Sequence, residues 1–102
     1  MGIHAKIVGV TYDNPDGINR QDIISSLKSN SPIFLKRDYA NIYDPNAIKV
    51  VDSGGVQLGF ISRELASQIA PQMDSGKKFS VSITGLTGGN GYTRGVNIYI
   101  ND

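Results

Sequence analysis

The chain has 102 residues, a formal net charge of +1 and no cysteine. This length suits one small domain with a modest core, and the lack of cysteine excludes a disulfide framework and a thiolate metal site. The near-neutral charge excludes a basic coat, so any nucleic-acid binding must come from a local cluster. No apolar run reaches the length of a membrane span and no secretion signal is present, so we expect a soluble, cytoplasmic protein.

The first half of the chain predicts strands separated by one short helix. Residues 5–12 (AKIVGVTY) predict a first strand, in which Gly9 indicates a bend or a close backbone approach. Asn19 is a candidate helix N-cap. Asp22 stands three residues later, where its carboxylate can accept the reciprocal bond from the backbone N–H of Asn19. After that helix, two more strands are predicted at residues 33–36 and 47–52.

The second half predicts three further strands and a second helix. A hairpin turn at Ser53-Gly54-Gly55 leads into a strand at residues 56–61. Ser62 caps the second helix, and Gly76 ends it. Pro71 lies inside this helix and predicts a kink or a restart, because proline removes a backbone donor. The predicted apolar face of the helix consists of Leu65, Ala66, Ile69, Ala70 and Met73.

Alternating residues at 78–86 and a final apolar run at 94–100 predict the last two strands, joined across Asn90-Gly91. The element order is therefore β-α-β-β-β-α-β-β. This order favours a mainly β fold with two helices, a small OB-like or SH3-like barrel of about six strands. We expect residues 1–102 to form a single domain with a core at about 5–101.

The densest run of polar and aromatic side chains lies at residues 35–51 (LKRDYANIYDPNAIKVV). Surface loops held by rigid strands often carry function, and this loop has the residue types to do so. The structural alternative is a simple turn, because Asp-Pro-Asn is typical turn chemistry. The side chains concerned are Tyr39, Asn41, Tyr43, Asp44 and Asn46.

Catalytic motifs are missing from the sequence. The only histidine, His4, stands at what we expect to be a ragged N-terminus, where it is solvated rather than catalytic. No phosphate-binding glycine loop is present, and residues 13–17 make a poor calcium loop because Pro15 occupies a liganding position. We therefore expect no catalysis, no metal and no cofactor.

The side chains of the loop and its neighbours suit a nucleic-acid end. Tyr12 and Tyr43 can stack on bases, at roughly 1–3 kcal/mol per base, and Asn41 can contact a phosphate or a base edge. Arg63, at the start of the second helix, attracts phosphate. A carboxylate at Asp44 repels a phosphate backbone but accepts a hydrogen bond from a 3′-hydroxyl. The structural alternatives are that Tyr43 covers the barrel end, Asp44 caps its own turn and Arg63 pairs with a surface carboxylate.

Three segments together resemble a HIRAN domain, over residues 5–101: Val8–Tyr12 (VGVTY), Arg37–Val50 (RDYANIYDPNAIKV) and Val56–Ala66 (VQLGFISRELA). The resemblance implies a small OB-like barrel. Such domains occur in helicase-like transcription factors that remodel stalled replication forks, and as single-domain bacterial and phage proteins. In the fork-remodelling members the domain binds the 3′-hydroxyl end of single-stranded DNA.

Carried over by position, the resemblance implies that Tyr12 and Tyr43 stack on the terminal bases. Asp44 then accepts from the 3′-hydroxyl, while Asn41 and Arg63 hold the DNA backbone.

The sequence also departs from the eukaryotic pattern. Thr11 stands in place of an arginine, Phe60 in place of a histidine and Arg63 in place of a lysine. Losing one cation and one polar contact is expected to weaken phosphate binding.

The resulting hypothesis is a monomeric, non-catalytic module that recognises single-stranded DNA, at its 3′-hydroxyl end, in DNA repair alongside DNA-processing proteins. The alternative is a protein-interaction or scaffold domain that uses the same loop. A third and weaker hypothesis is a hydrolase acting on nucleic-acid ends.

Overall fold

The computed structural model describes residues 2–102, and within them six strands and two helices follow the predicted order, which confirms the mainly β fold class. The elements are β1 (Gly2–Lys6), α1 (Arg20–Ser25), β2 (Ile33–Arg37), β3 (Ile48–Asp52), β4 (Gln57–Phe60), α2 (Arg63–Asp74), β5 (Ser80–Gly89) and β6 (Tyr92–Asn101).

The strands form two antiparallel sheets of three strands, with the orders β1-β6-β5 and β2-β3-β4. The sheets are joined where Val8 and Phe60 exchange two backbone hydrogen bonds of 2.9 Å. On the opposite side β2 lies against β5, and no ladder joins these two strands within residues 2–102. The sheets therefore wrap into a partly closed barrel.

Buried aliphatic side chains from both sheets and both helices fill the barrel. From Val96 to the end of β6 every second residue points inward, so that Val96, Ile98 and Ile100 are buried. The apolar face predicted for α2 is confirmed, with Ala66, Ile69 and Ala70 buried and Leu65 and Met73 packed at its edge. Each fully buried aliphatic side chain contributes roughly 1.5–3 kcal/mol. The most enclosed are Ile7, Ile48, Val50, Leu58, Ile69, Val96, Ile98 and Ile100.

The first strand does not have the predicted extent of residues 5–12. Instead, β1 begins at Gly2 and leaves the ladder after Lys6. Gly9 has a φ of +71°, which ends the extended run and turns the chain, so the predicted bend is present. His4 is therefore part of a strand rather than of a ragged terminus, and its ring lies 4.8 Å from that of Tyr99.

The helix caps agree with the sequence in part. The side chain of Asn19 accepts from the backbone N–H groups of Gln21 and Asp22. Within residues 2–102, however, the Asp22 carboxylate does not accept the reciprocal bond from the backbone N–H of Asn19. The helix does not restart at Pro71, because α2 is continuous from Arg63 to Asp74. The proline is exposed and lies in the last turn, so the packed face before it is undisturbed.

The ends of the later elements follow from their glycines. Gly76 has a φ of +98° and its N–H donates to the carbonyl of Met73, which closes α2 as predicted. Asn90 and Gly91 have φ values of 52° and 92°, as a two-residue hairpin turn requires. The hairpin is longer than predicted on both sides of this turn. Neither α1 nor α2 combines the length and apolar character that crossing a bilayer requires.

Candidate nucleic-acid interface

A cavity of about 190 Å³ opens next to the seam between the two sheets. Its floor is apolar and comes from Val8, Ala47, Phe60 and Ile61. Four of the residues predicted from sequence to contact DNA line the rim, and Phe60 adds a fifth from the floor. The rim residues are Asn41, Tyr43, Asp44 and Arg63.

Asn41 organises the loop that carries these side chains. Its Oδ1 accepts from the backbone N–H groups of Tyr43 at 2.9 Å and Asp44 at 3.0 Å. Its Nδ2 donates to Oδ2 of Asp38 at 3.3 Å. Both ends of the amide are thus engaged within the protein, and a direct contact between Asn41 and DNA stays a prediction.

Asp44 takes part in its own turn through one carboxylate oxygen. Oδ1 accepts from the N–H of Asn46 at 2.9 Å, as the structural alternative supposed. No residue within 2–102 hydrogen-bonds to Oδ2, and the side chain borders the cavity. One oxygen therefore fixes the direction of the carboxylate, and the other remains able to accept from a ligand.

Tyr43 and Arg63 border the cavity together. Nη2 of Arg63, the first residue of α2, donates to the carbonyl of Tyr43 at 3.0 Å. Within the described residues Arg63 has no carboxylate partner, so the surface ion pair given as its structural alternative is not observed. The ring of Tyr43 is 81% exposed, so it extends from the rim and does not cover the barrel end.

Tyr12 lies beside the cavity and does not line it. Its ring is 68% exposed and is carried by the turn at Gly9. A Cβ placed on Gly9 would lie 3.6 Å from Cδ2 of Phe60 and 3.8 Å from Cδ2 of Tyr12. Both rings therefore lie close to Gly9, with Phe60 in the lining of the cavity and Tyr12 outside it. Thr11 is exposed on the same turn.

Arg20 supports these rings from inside the domain, and the sequence analysis did not identify it. It is 5% exposed, and its Nε and Nη1 donate to Oδ1 of Asn14 at 2.7 Å and to the carbonyl of Gly9 at 2.8 Å. Its guanidinium carbon lies 5.3 Å from the centroid of the Phe60 ring. Burial lowers the pKa of Arg20, and the charge of Asp13 opposes that shift. No pattern marks this residue, because an arginine at the start of a helix is usually solvated.

A second hydrogen-bond network lies where the loop begins, next to the end of β2. Arg37 and Tyr39 both donate to the carboxylate of Asp74, and these bonds lower the pKa of that carboxyl group. The Tyr39 side chain is therefore directed toward the end of α2 and not toward the cavity. Among the described residues, no three histidine, cysteine or carboxylate side chains come together in a group that could hold a metal ion.

The fold and this site define a class: a small, partly closed barrel with a shallow apolar cavity rimmed by aromatic rings, one carboxylate and one cation. The chain belongs to the HIRAN domain family, because the sequence model of that family, the HIRAN domain, matches residues 3–101. The resemblance read from the sequence is thereby confirmed.

Curated relatives share this region and are much longer proteins. A putative SWI/SNF-related matrix-associated actin-dependent regulator of chromatin, subfamily A member 3-like 1, from Arabidopsis thaliana is 35% identical over 71 residues, which cover 70% of this chain and 7% of the relative. The helicase-like transcription factor of Mus musculus is 43% identical over 49 residues, which cover 48% of this chain and 5% of the relative. This chain thus corresponds to less than a tenth of either relative.

Solved structures give the same fold. The crystal structure of the HIRAN domain of human HLTF has a TM-score of 0.72 and 26% identity, over 97% of this chain and 72% of that one. The NMR structure of the HLTF HIRAN domain in its DNA-bound conformation has a TM-score of 0.68 and 25% identity, over 98% and 72% of the two chains. The crystal structure of a Lactobacillus plantarum protein has a TM-score of 0.72 and 22% identity, over 100% of this chain and 98% of that one. This match supports the fold alone.

Proposed function

We propose that this domain binds single-stranded DNA at its 3′-hydroxyl end and has no catalytic activity of its own. The observation that carries the proposal is the second carboxylate oxygen of Asp44, which borders the cavity next to Tyr43 and Arg63 and has no protein partner within residues 2–102. The DNA-bound conformation of the HLTF HIRAN domain supports the broader part of the proposal, DNA binding.

The chemistry of the rim selects an end over the interior of a strand. Every internal nucleotide presents a phosphate on its 3′ side, which a carboxylate repels. A terminal 3′-hydroxyl is a donor, and a hydrogen bond from it to an ionised carboxylate is stronger than one between neutral groups. In this arrangement Asp44 accepts from the terminal hydroxyl while Arg63, across the same cavity, pairs with the last phosphate.

The aromatic side chains supply stacking without base specificity. Tyr43 extends from the rim, Phe60 lines the cavity, and the exposed Tyr12 lies near Gly9 outside it. Base stacking on such rings contributes roughly 1–3 kcal/mol per base and tolerates any sequence. Because Arg63 is the one cation that lines the cavity among residues 2–102, we expect backbone attraction to contribute less than stacking. We infer in addition that the domain acts as a monomer in the cytoplasm and works with DNA-processing proteins.

The test compares two single strands that differ only at the 3′ end. Fluorescence anisotropy at low salt, with 5′-labelled oligonucleotides ending in a 3′-hydroxyl or a 3′-phosphate, should give about tenfold tighter binding of the hydroxyl form. Asp44→Asn is the informative variant, because the amide oxygen can still accept from Asn46 while the charge is removed. This variant should bind the two strands with nearly equal affinity.

Equal affinity of the wild type for the two strands would refute end recognition. No binding of either strand at low salt would refute DNA binding and favour the protein-interaction alternative. One observation supports that alternative: Ile42, at the tip of the same loop, is 85% exposed and offers apolar surface to a peptide. Incubating labelled DNA with the protein and a divalent metal tests the hydrolase hypothesis, and we expect no cleavage.

A further inference from the structure

We propose that helix α2 holds the loop of residues 38–47 at both ends, and that Arg37, Tyr39 and Asp74 are positioning residues for Tyr43 and Asp44. The inference rests on the proposed function and extends it to side chains that lie outside the cavity.

At the C-terminal end of α2, the carboxylate of Asp74 receives three hydrogen bonds. Nε and Nη2 of Arg37 donate to Oδ1 and Oδ2 at 3.0 and 3.3 Å, and the hydroxyl of Tyr39 donates to Oδ1 at 2.7 Å. Two parallel N–H bonds to one carboxylate are the geometry that fixes both groups most firmly. The end of the helix is therefore tied to the residues on which the loop begins.

The same guanidinium also holds the distal half of the loop. Nη1 of Arg37 donates to the carbonyl of Ala47 at 2.6 Å, and Nη2 donates to the carbonyl of Pro45 at 2.9 Å. Both carbonyls belong to the turn of residues 44–47 that Asp44 caps. The Arg37 side chain is only 7% exposed, and its guanidinium carbon lies 4.6 Å from the centroid of the Tyr39 ring. All three nitrogens are engaged, so the side chain has no freedom to rotate away.

At the N-terminal end of α2, Arg63 donates to the carbonyl of Tyr43. The helix has 12 residues, and an α-helix rises about 1.5 Å per residue, so its ends are far enough apart to define a direction. A loop attached to both ends of one rigid element cannot shift along it. Because only two residues separate α2 from strand β4, the same attachments fix Tyr43 and Asp44 relative to Phe60.

The bonds that Asp74 accepts are poorly suited to a role in global stability alone, whereas the buried Arg37 also donates to two backbone carbonyls. The Asp74 side chain is 40% exposed, and ion pairs at the surface contribute little to the free energy of unfolding. Holding a loop in its binding conformation acts on affinity instead, because the ordering cost of its side chains is met before the ligand arrives. The positioning role therefore predicts a larger effect on DNA binding than on stability.

The experiment uses Arg37→Lys, Tyr39→Phe and Asp74→Asn, each measured at a temperature where the variant is fully folded. We expect the affinity for a 3′-hydroxyl strand to fall about fivefold or more in Arg37→Lys and Asp74→Asn, and less in Tyr39→Phe, with a smaller ratio between 3′-hydroxyl and 3′-phosphate strands. Amide exchange at Tyr43 and Asp44 should accelerate in the protein without DNA. Lys77→Gln, which removes another ion pair close to the end of α2, is the matched control and should change neither quantity.

The outcomes separate the positioning role from a structural one. A lower melting temperature with an unchanged affinity ratio and unchanged exchange at Tyr43 and Asp44 would overturn the proposal. The exchange measurement also separates it from the proposed function. If the wild type fails to distinguish the two strands, end recognition is wrong, and the exchange rates still decide whether the network holds the loop.

Discussion

The guanidinium of Arg20 packs against the ring of Phe60, with 5.3 Å between the guanidinium carbon and the ring centroid. The same guanidinium holds the carbonyl of Gly9, and the backbone N–H of Arg20 donates to the carbonyl of Tyr12. One buried cation thus connects the turn that carries Tyr12 to the strand that carries Phe60. This connection brings the two segments together, although Tyr12 and Phe60 are 48 positions apart in the sequence.

Arg20→Met is expected to destabilise the domain by about 2–4 kcal/mol, because it leaves Oδ1 of the buried Asn14 without a donor and removes one of the two donors to the carbonyl of Gly9. Urea unfolding followed by circular dichroism measures the change. Lys36→Met is the control, since Lys36 is an exposed cation on β2, and it should stay within about 0.5 kcal/mol of the wild type. Equal unfolding midpoints for wild type and Arg20→Met would show that the buried contacts contribute nothing.

The order of the helices and strands could be predicted from the sequence, but the end of the first strand could not. The element order follows from local signals, such as the N-caps Asn19 and Ser62 and the Asn90-Gly91 turn, and each of these signals acts within a few residues. The exit of β1 at Lys6 was missed, because the residues after it remain apolar until the positive φ of Gly9 turns them.

For the candidate site, residue types alone indicated the loop, and the structure brings Asn41, Tyr43, Asp44 and Arg63 to one rim. The supporting residues could not be predicted. Asp74 lies 35 positions beyond Tyr39, with which it bonds, and only the packing of α2 against the barrel brings the two together.

Gly59→Ala tests the seam between the sheets. A Cβ at Gly59 would lie 2.5 Å from both Cγ2 of Ile7 and the carbonyl oxygen of Val8, which is closer than side-chain carbons approach. Since Val8 is held there by two backbone bonds, the strands must separate, and we expect a loss of about 2–3 kcal/mol in urea unfolding. Gly54→Ala is the matched control, with its nearest contact at 3.4 Å. Equal destabilisation by both substitutions would contradict the steric argument.

The Asp74 network predicts a loss of stabilisation at both the acid and the alkaline end of the pH range. Bonds from Arg37 and Tyr39 lower the pKa of Asp74 below the ordinary 3.8. The contribution of Asp74 to the free energy of unfolding is therefore complete above pH 3.8 and is lost as the pH falls through the native pKa. The bond to Asp74 raises the pKa of Tyr39 above the ordinary 10.0, so that contribution is complete below pH 10 and is lost as the pH rises through the native pKa.

Ultraviolet titration of tyrosinate measures the alkaline half of this prediction. Subtracting the Tyr39→Phe curve from that of the wild type isolates one tyrosine, which should ionise above pH 10. In an Asp74→Asn background the same difference curve should give a pKa of Tyr39 closer to the ordinary value, because the carboxylate that accepts from the Tyr39 hydroxyl is gone. A difference curve centred at the ordinary value in both backgrounds would show that the bond between Tyr39 and Asp74 does not persist in solution.

Arg63→Gln is expected to change the salt dependence of DNA binding as well as its strength. For single strands, each phosphate neutralised by a protein cation contributes about −0.7 to the slope of log affinity against log salt. Of the residues that the structure describes, Arg63 is the one cation in the lining of the cavity, so the substitution should make the slope shallower by about that amount. Anisotropy titrations of a 3′-hydroxyl strand at several salt concentrations give the slope, and Lys36→Gln, outside the cavity, should leave it unchanged. Parallel slopes for wild type and Arg63→Gln, with weaker binding in the variant, would mean that Arg63 acts only through its bond to the carbonyl of Tyr43 and not on a phosphate.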